Sequence, residues 1–337
     1  MLYQNVSLKK RNTFQLDVNC DFFAEVRTLK ALESLRTTPP YQNTDWFILG
    51  GGSNVLFTKK PENPVVKVSI PGVKVFTGPG NDVLVKAGAG VVWHDLVIWT
   101  LENGIYGLEN LSLIPGQVGA APIQNIGAYG VELKDVFETL EVYNYLDGTT
   151  FTMDEFDCGF GYRSSVFKSN SKRPLIITSV TFRLSRTPNL NLDYGDIAST
   201  LSSMSIIKPT PMDVSNAVIA IRSSKLPDPS VIGNAGSFFK NPEITVSHYD
   251  ELKKIYPEMP GYPVSKHKIK VPAGWLIDHL GWKGYRSGDV GVHAKQALVL
   301  VNYGSAKGHE IFELSTKIKN SVRTSFQIDL HPEVNIV

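Results

Sequence analysis

The chain has 337 residues, two to three domains' worth at about 100 to 200 residues each, and 42% of them are apolar, enough to bury a sizeable core. Its 34 Lys and Arg balance 32 Asp and Glu to a net charge of +2, without the basic excess of a surface that tracks phosphates, so no nucleic-acid partner is expected. Only 20% of residues are charged and no tract is low in complexity, which excludes a disordered chain.

In chain order, Phe22, Val26, Leu29 and Leu32 recur at spacings of three and four behind Asp21, which predicts a helix running to about Arg36, stopped by Thr37-Thr-Pro-Pro40. Trp46 to Leu49 is a short buried strand running into Gly50-Gly-Gly-Ser-Asn54. Val65 to Ile70, Val73 to Thr77 and Asp82 to Ala87 are strands between turn residues, and Trp93, Leu96, Val97 and Leu101 mark an amphipathic helix ending at Gly104. A glycine-rich, charge-poor region follows from Gly104 to Gly130. Leu175 to Leu184 alternates with apolar residues on both faces, as a well-buried strand does. Residues 185 to 212 carry little periodicity and mark a domain boundary. Beyond it, helical stripes cover Val214 to Ile221, Trp275 to Leu280 and Ile311 to Val322, while Ala297 to Val301 and Phe326 to Leu330 are expected as strands.

A strand that feeds three glycines suggests a phosphate-binding loop, because glycine lets backbone N–H groups approach an anion with no Cβ in the way. The dinucleotide fingerprint fails, since Val55 stands where its third glycine is needed, and no P-loop motif occurs. A nest of successive N–H groups remains, and so does a plain turn. The segment from Ile114 to Tyr129 adds small residues at Gly116, Gly119, Ala120, Ala121, Gly127 and Ala128 and amides at Gln124 and Asn125. That composition suits a long ligand laid on backbone, and equally a compact surface loop.

Arg163, among aromatics and small residues, offers a planar fork for a carboxylate. Ser237, between Gly236 and two phenylalanines, is placed to donate a proton, and Glu333 is expected in an apolar terminal strand where desolvation raises its pKa. Each also has an ordinary structural explanation. The seven histidines show no metal-ligand spacing, and no G-x-S-x-G elbow exists, so neither a metal site nor an α/β-hydrolase is expected. Cys20 and Cys158 stand far apart, with no disulfide framework. Cys158 lies near enough to Arg163 to be activated, although a buried inert thiol is the commoner state. The N-terminus lacks a signal peptide's apolar stretch and no segment is long enough to span a membrane, so a cytoplasmic monomer without membrane contact is expected.

Seven blocks in order resemble the UDP-N-acetylenolpyruvoylglucosamine reductase family: Ile48-Leu-Gly-Gly-Gly-Ser-Asn-Val-Leu-Phe57, Gly107 to Gly116, Pro122-Ile-Gln-Asn-Ile-Gly-Ala-Tyr-Gly130, Phe160-Gly-Tyr-Arg-Ser-Ser-Val-Phe-Lys168, Gly233-Asn-Ala-Gly-Ser-Phe-Phe-Lys-Asn-Pro242, Pro272 to Asp278 and Pro332-Glu-Val334. The resemblance implies an α+β flavoenzyme with a two-part FAD-binding domain of the vanillyl-alcohol-oxidase type, residues 1–70 and 71–208, and a C-terminal α+β substrate-binding domain, residues 209–337, whose terminal strand returns Glu333 to the flavin site. Non-covalent FAD would be cradled by Gly50, Gly51, Gly52, Ser53 and Asn54 and by Ile114, Pro115, Gly116, Gly119, Ala120, Ala121, Gln124, Asn125, Gly127, Ala128 and Tyr129. NADPH would supply hydride, and the enolpyruvyl ether of UDP-N-acetylglucosamine would receive it on the way to peptidoglycan.

By the same resemblance Arg163 and Glu333 stabilise the enolate-like charge, and Ser237 donates the proton that quenches it. Tyr194, in Asp193-Tyr-Gly-Asp196, resembles the tyrosine loop of one subclass, in which it folds over the sugar nucleotide. Lys225, Asn241 and Gln296 resemble the set around the substrate diphosphate. The chain ends three residues after Val334, short of the tail some members carry. Two other functions fit parts of the pattern: an oxidase or dehydrogenase of a small alcohol on the same fold, and a catalytically dead flavin-binding regulator.

Overall fold

A computed structural model describes residues 2–168 and 174–337. The chain forms two compact units whose segments interleave. The first comprises the residues up to Val6, Cys20–Gly52 and Pro61–Ser224; the second comprises Ser7–Asn19, Ser53–Lys60 and Lys225–Val337.

Among the described residues the first unit holds two large sheets and the two-stranded pair Gly127–Ala128 with Val131–Glu132. One has the strand order Leu2–Ser7, Asn19–Val26, Val65–Val68, Phe47–Leu49. Its last three strands run parallel, with Phe23 and Phe47 both opposite Val65. This corrects the expected helix from Asp21. Cys20, Phe23, Ala24 and Val26 are buried in a strand with apolar residues on both faces, and that pattern passes for helical spacing over one or two turns. The helix is confined to Leu29–Arg36, where the Thr28 side chain accepts the Ala31 N–H as N-cap.

The second sheet is antiparallel, ordered Thr150–Met153, Phe137–Asn144, Leu175–Ser185, Asp82–Gly88, Val73–Thr77. The helix Trp93–Glu102 lays Trp93, Leu96, Val97 and Leu101 into the same core as Val83, Val85, Val180 and Phe182. The 185–212 stretch is not wholly irregular: it contains the helix Ile197–Ser203, which buries Ile197 and Leu201 against Val214, Ala217, Val218 and Ile221 of the helix Pro211–Lys225. That longer helix packs within the first unit as far as Ser224.

In the second unit the strands Gly233–Ser237, Val299–Asn302, Val290–Val292 and Arg286–Ser287 form an antiparallel sheet. The helices Ala273–His279 and Gly308–Phe326 share a core with it that includes Phe14, Leu16, Phe238, Leu276, Ile311, Ile318 and Val322. The expected strand at Phe326 to Leu330 is absent. Phe326 extends the stripe of Ile318 and Val322, and the helix closes on Gln327 in a left-handed conformation at φ 55°. Glu333 lies in a bend just before the two-residue strand Asn335–Ile336, which pairs in parallel with Val55–Leu56. The short tail is docked: Val337 donates its N–H to the Leu56 carbonyl at 2.9 Å and accepts from the Thr58 N–H at 2.7 Å.

Candidate active site

In the first unit the two glycine-rich segments meet. A Cβ on Gly51 would stand a tight 3.1 Å from the Gly116 Cα, and one on Gly119 would stand 2.5 Å from the Ala89 Cβ, where only hydrogen fits between the segments. The Gly116–Tyr129 segment is braced from behind. Val118 and Gly119 donate N–H groups to the Val91 and Ala89 carbonyls, each at 2.9 Å, and the Gln117 Nε2 donates to the Gly90 carbonyl at 3.0 Å.

The Gln117 Oε1 is buried without a hydrogen-bond partner among the described residues, and it lies 3.4 Å from where a Gly50 Cβ would be. An orphaned acceptor beside two Cβ-free loops fits a flat, polar cofactor that brings its own N–H donors, as FAD does. Asn125 stands differently from its expected part as a ligand contact. Fully buried, it gives its Nδ2 to Glu132 at 3.0 Å and to the Gly161 carbonyl at 3.2 Å, and accepts the Lys134 N–H at 3.0 Å. Its side chain is thus engaged within the first unit. The Gln124 Oε1 accepts from the Lys168 ammonium at 3.2 Å. Ile114 and Ala128 pack against the core of the first unit and Ala121 is buried within it.

Arg163 sits in a left-handed conformation, φ 50°, within the tight Gly161–Ser164 turn, where Gly161 and Ser164 exchange backbone hydrogen bonds at 3.0 and 3.1 Å. Its Nη2 donates to the Gly127 carbonyl at 2.6 Å, and a Cβ on Gly127 would come within 3.1 Å of its Nη1. The catalytic arginine of the sequence analysis is therefore tied to the proposed cofactor segment. Tyr129 is held from two sides. Its carbonyl accepts from Asn110 Nδ2 at 2.9 Å, and its ring meets Tyr194 edge-on at 6.5 Å. Asn191 Nδ2 donates to the Gly130 carbonyl at 3.3 Å, so the tyrosine loop lies on the Tyr129–Gly130 turn, with Tyr194 58% exposed. Asn110 attracted no notice in the sequence, yet it bonds both the Tyr129 and Asn191 carbonyls.

His94 accepts the Leu113 N–H on its Nδ1 at 3.0 Å. Burial holds its pKa below the usual histidine value, Asp95 opposes that, and Arg222 adds to it. Cys158 is fully buried, and burial with Asp157, Asp154 and Glu155 nearby pushes its thiol up to about 12, the reverse of activation by Arg163.

The second unit holds Ser237 and Glu333 on paired segments. Ser237 ends the strand Gly233–Ser237, after Gly236 in a left-handed turn whose N–H is fixed by the Asn234 Oδ1 at 3.0 Å. Phe238 and Phe239 are buried and meet edge-on at 5.1 Å, which anchors the residue next to the serine in the core. Glu333 donates its N–H to the Phe238 carbonyl at 2.8 Å, and the Asn54 Nδ2 donates to the Glu333 carbonyl at 3.3 Å. Within the second unit, Glu333 is thus bonded through its backbone to Asn54 and to the residue that follows Ser237. Asn241 accepts the Ala273 N–H at 2.9 Å, Gln296 Oε1 accepts from the Leu298 N–H at 3.4 Å, and Lys225 is exposed. Among the described residues no three His, Cys, Asp or Glu side chains gather as metal ligands, and no helix is long and apolar enough to cross a membrane.

Residues 21–154 match the FAD binding domain model, and residues 228–337 match the model of the UDP-N-acetylenolpyruvoylglucosamine reductase C-terminal domain. The chain is 46% identical over 337 residues to the UDP-N-acetylenolpyruvoylglucosamine reductase of Flavobacterium johnsoniae, covering 100% of this chain and 99% of that protein. It is 47% identical over 330 residues to the protein of that name from Chromobacterium violaceum, covering 98% and 97%, and 46% identical over 335 residues to that of Pseudomonas aeruginosa, covering 99% and 98%. The crystal structure of the Thermus caldophilus reductase superposes with a TM-score of 0.69 at 24% identity, covering 100% of this chain and 99% of that one, and so has the same α+β fold. By this full-length similarity the chain belongs to the UDP-N-acetylenolpyruvoylglucosamine reductase family.

Proposed function

We propose that the chain reduces the enolpyruvyl ether of UDP-N-acetylglucosamine to UDP-N-acetylmuramate in peptidoglycan precursor synthesis, using bound FAD and NADPH. The observation that carries this reading is the pairing of the segment just after Ser237 with the one holding Glu333, whose N–H reaches the Phe238 carbonyl at 2.8 Å. The reductase model covers that segment, 228–337.

FAD, when bound, would supply the hydride chemistry that links NADPH to the terminal carbon of the alkene. The residues that would hold it are Gly50, Gly51, Gly52, Ser53 and Asn54 with the Ile114–Tyr129 segment. Negative charge then develops on the neighbouring carbon and spreads into the substrate carboxylate. Arg163, oriented by the Gly127 carbonyl, stabilises that charge, and acts more strongly on the transition state than on the neutral alkene. Ser237 donates its hydroxyl proton to the carbon, and Glu333 assists as the neutral acid, since an ionised carboxylate would repel the enolate. Tyr194, Lys225, Asn241 and Gln296 bind the sugar nucleotide. Duties divide as the family resemblance implies, with residues 1–70 and 71–208 for the cofactor and 209–337 for the substrate. The chain acts as a cytoplasmic monomer on a small UDP-sugar, with no nucleic-acid or membrane partner, in keeping with its net charge of +2.

An anaerobic titration tests the reading. The purified protein is expected to be yellow, to bleach with NADPH and to recolour on addition of the enolpyruvyl sugar nucleotide. A colourless protein that takes up no flavin would contradict it, as would recolouring that needs oxygen and a small alcohol instead.

A further inference from the structure

The first unit contains a second guanidinium that the mechanism above leaves unused. Arg222 stands near the end of the helix Pro211–Lys225, two turns after Ser215 on the same face. The Ser215 hydroxyl lies 2.8 Å from that of Ser112, so this face borders the segment leading into the proposed cofactor cradle. The Arg222 Nε is buried and has no hydrogen-bond partner among the described residues. The groups that act on it electrostatically are Tyr129 and Arg163, and it acts in turn on His94; none of these is a carboxylate. Burial and the like charge of Arg163 both work against its protonated form, but a guanidinium does not give up its proton in a protein, so the cation persists unneutralised. The side chain as a whole is only half-buried, so a ligand can still approach it. The contrast within the same unit is Arg183, on the surface yet paired with both Asp82 and Glu138. A desolvated cation within the field of Arg163, with no carboxylate acting on it among the described residues, is a site waiting for an anion.

We propose that Arg222 is a second anion-holding residue of the reductive site, and that with Arg163 it faces the negative charge brought to the Tyr129 side of the cradle by the bound cofactor or by the substrate carboxylate. The proposal rests on the FAD-dependent reading. A hydride carries two electrons with one proton, so each transfer leaves one more negative charge on its acceptor: first on the cofactor, as the nicotinamide becomes cationic, and then on the substrate, where the alkene's electron pair moves into the carboxylate until Ser237 supplies a proton. Both acceptors present a planar, delocalised anionic edge, which a guanidinium fork matches. A cation already in place needs no reorganisation when that charge forms.

The test uses Arg222→Gln and Arg222→Lys holoenzymes, with two readouts apart from turnover: the two-electron midpoint potential of the bound FAD, and the Kd of the oxidised holoenzyme for the enolpyruvyl sugar nucleotide. Arg222→Gln is expected to weaken at least one of them tenfold or more, which for the potential is a fall of about 30 mV; Arg222→Lys should fall between it and the parent. A lowered potential with unchanged Kd assigns the cofactor as the anion held, and a raised Kd with unchanged potential assigns the substrate carboxylate. Parent values within threefold on both readouts in Arg222→Gln would overturn the proposal. Should Arg222→Gln fail to retain FAD, Arg222→Lys decides: a change of threefold or more in either readout supports it, and a smaller change in both overturns it. A parent protein that neither holds FAD nor is reduced by NADPH sinks the reductase reading itself, an outcome distinct from a normal parent with an indifferent variant.

Discussion

At the scale of single residues, the account asks most of Arg163. Its left-handed backbone is unusual for a side chain with a Cβ, and its Nη2 bond to Gly127 fixes where the fork points. Arg163→Ala is expected to lower turnover by about 100- to 1000-fold, the usual cost of removing one preorganised donor at developing charge, while FAD content measured by absorbance stays at the parent level. Cys158 is expected to do nothing chemically. With its thiol pushed up to about 12, iodoacetamide at pH 8 should leave it unmodified in the folded protein, as intact-mass measurement would check, and Cys158→Ala should keep activity. Arg163, Ser237 and Glu333 stood out as candidates in the sequence because each sits inside a distinctive block. Arg222 and Gln117 were not, since their interest lies in having no partner, and partners are a property of the fold.

At the scale of elements, the glycine loops work by excluding Cβ atoms, and Gly119 is the most tightly enclosed position in the cradle. Gly119→Val would drive its Cβ to 2.5 Å from that of Ala89. It is expected to cost about 1 to 3 kcal/mol by overpacking and to lower FAD retention on gel filtration. His94 sets a pH limit on the same segment. Its folded pKa is depressed by burial, so its contribution to stability is complete above the ordinary histidine pKa and is lost as pH falls through the lower folded value. Protonation also removes the Nδ1 acceptor from the Leu113 N–H and so loosens the segment leading into the cradle, and FAD affinity should weaken as pH falls below the ordinary histidine range. Equilibrium dialysis across pH 5 to 8 checks this, and His94→Gln should flatten the profile. The strands at 65–68, 73–77 and 82–88 and the helices at 93–102 and 308–326 were readable from periodicity. The strand Asn19–Val26 was not, because a parallel strand buried on both faces loses the alternation that identifies it.

At the scale of the whole molecule, the family and the α+β class were legible because seven motif blocks keep their order along the chain. The interleaving of the two units was not. Residues 7–19 and 53–60 join the C-terminal unit through pairings far apart in sequence, such as Val55–Leu56 with Asn335–Ile336, and the Asn302 Nδ2 bond to the Phe14 carbonyl at 2.8 Å. No local pattern announces such contacts. The last strand does more than close a core, since it follows directly on the bend that holds Glu333 beside Phe238. Removing residues 335–337 is therefore expected to slow transfer to the enolpyruvyl substrate while NADPH still reduces the flavin, with rapid-mixing absorbance separating the two.

The central claim is that Ser237 supplies the proton that completes reduction of the enolpyruvyl ether. Anaerobic single-turnover absorbance of Ser237→Ala, following flavin bleaching by NADPH and then recolouring by the sugar nucleotide, tests it most directly. The account predicts bleaching at the parent rate and recolouring slowed at least about 100-fold. Parent rates in both half-reactions would contradict it.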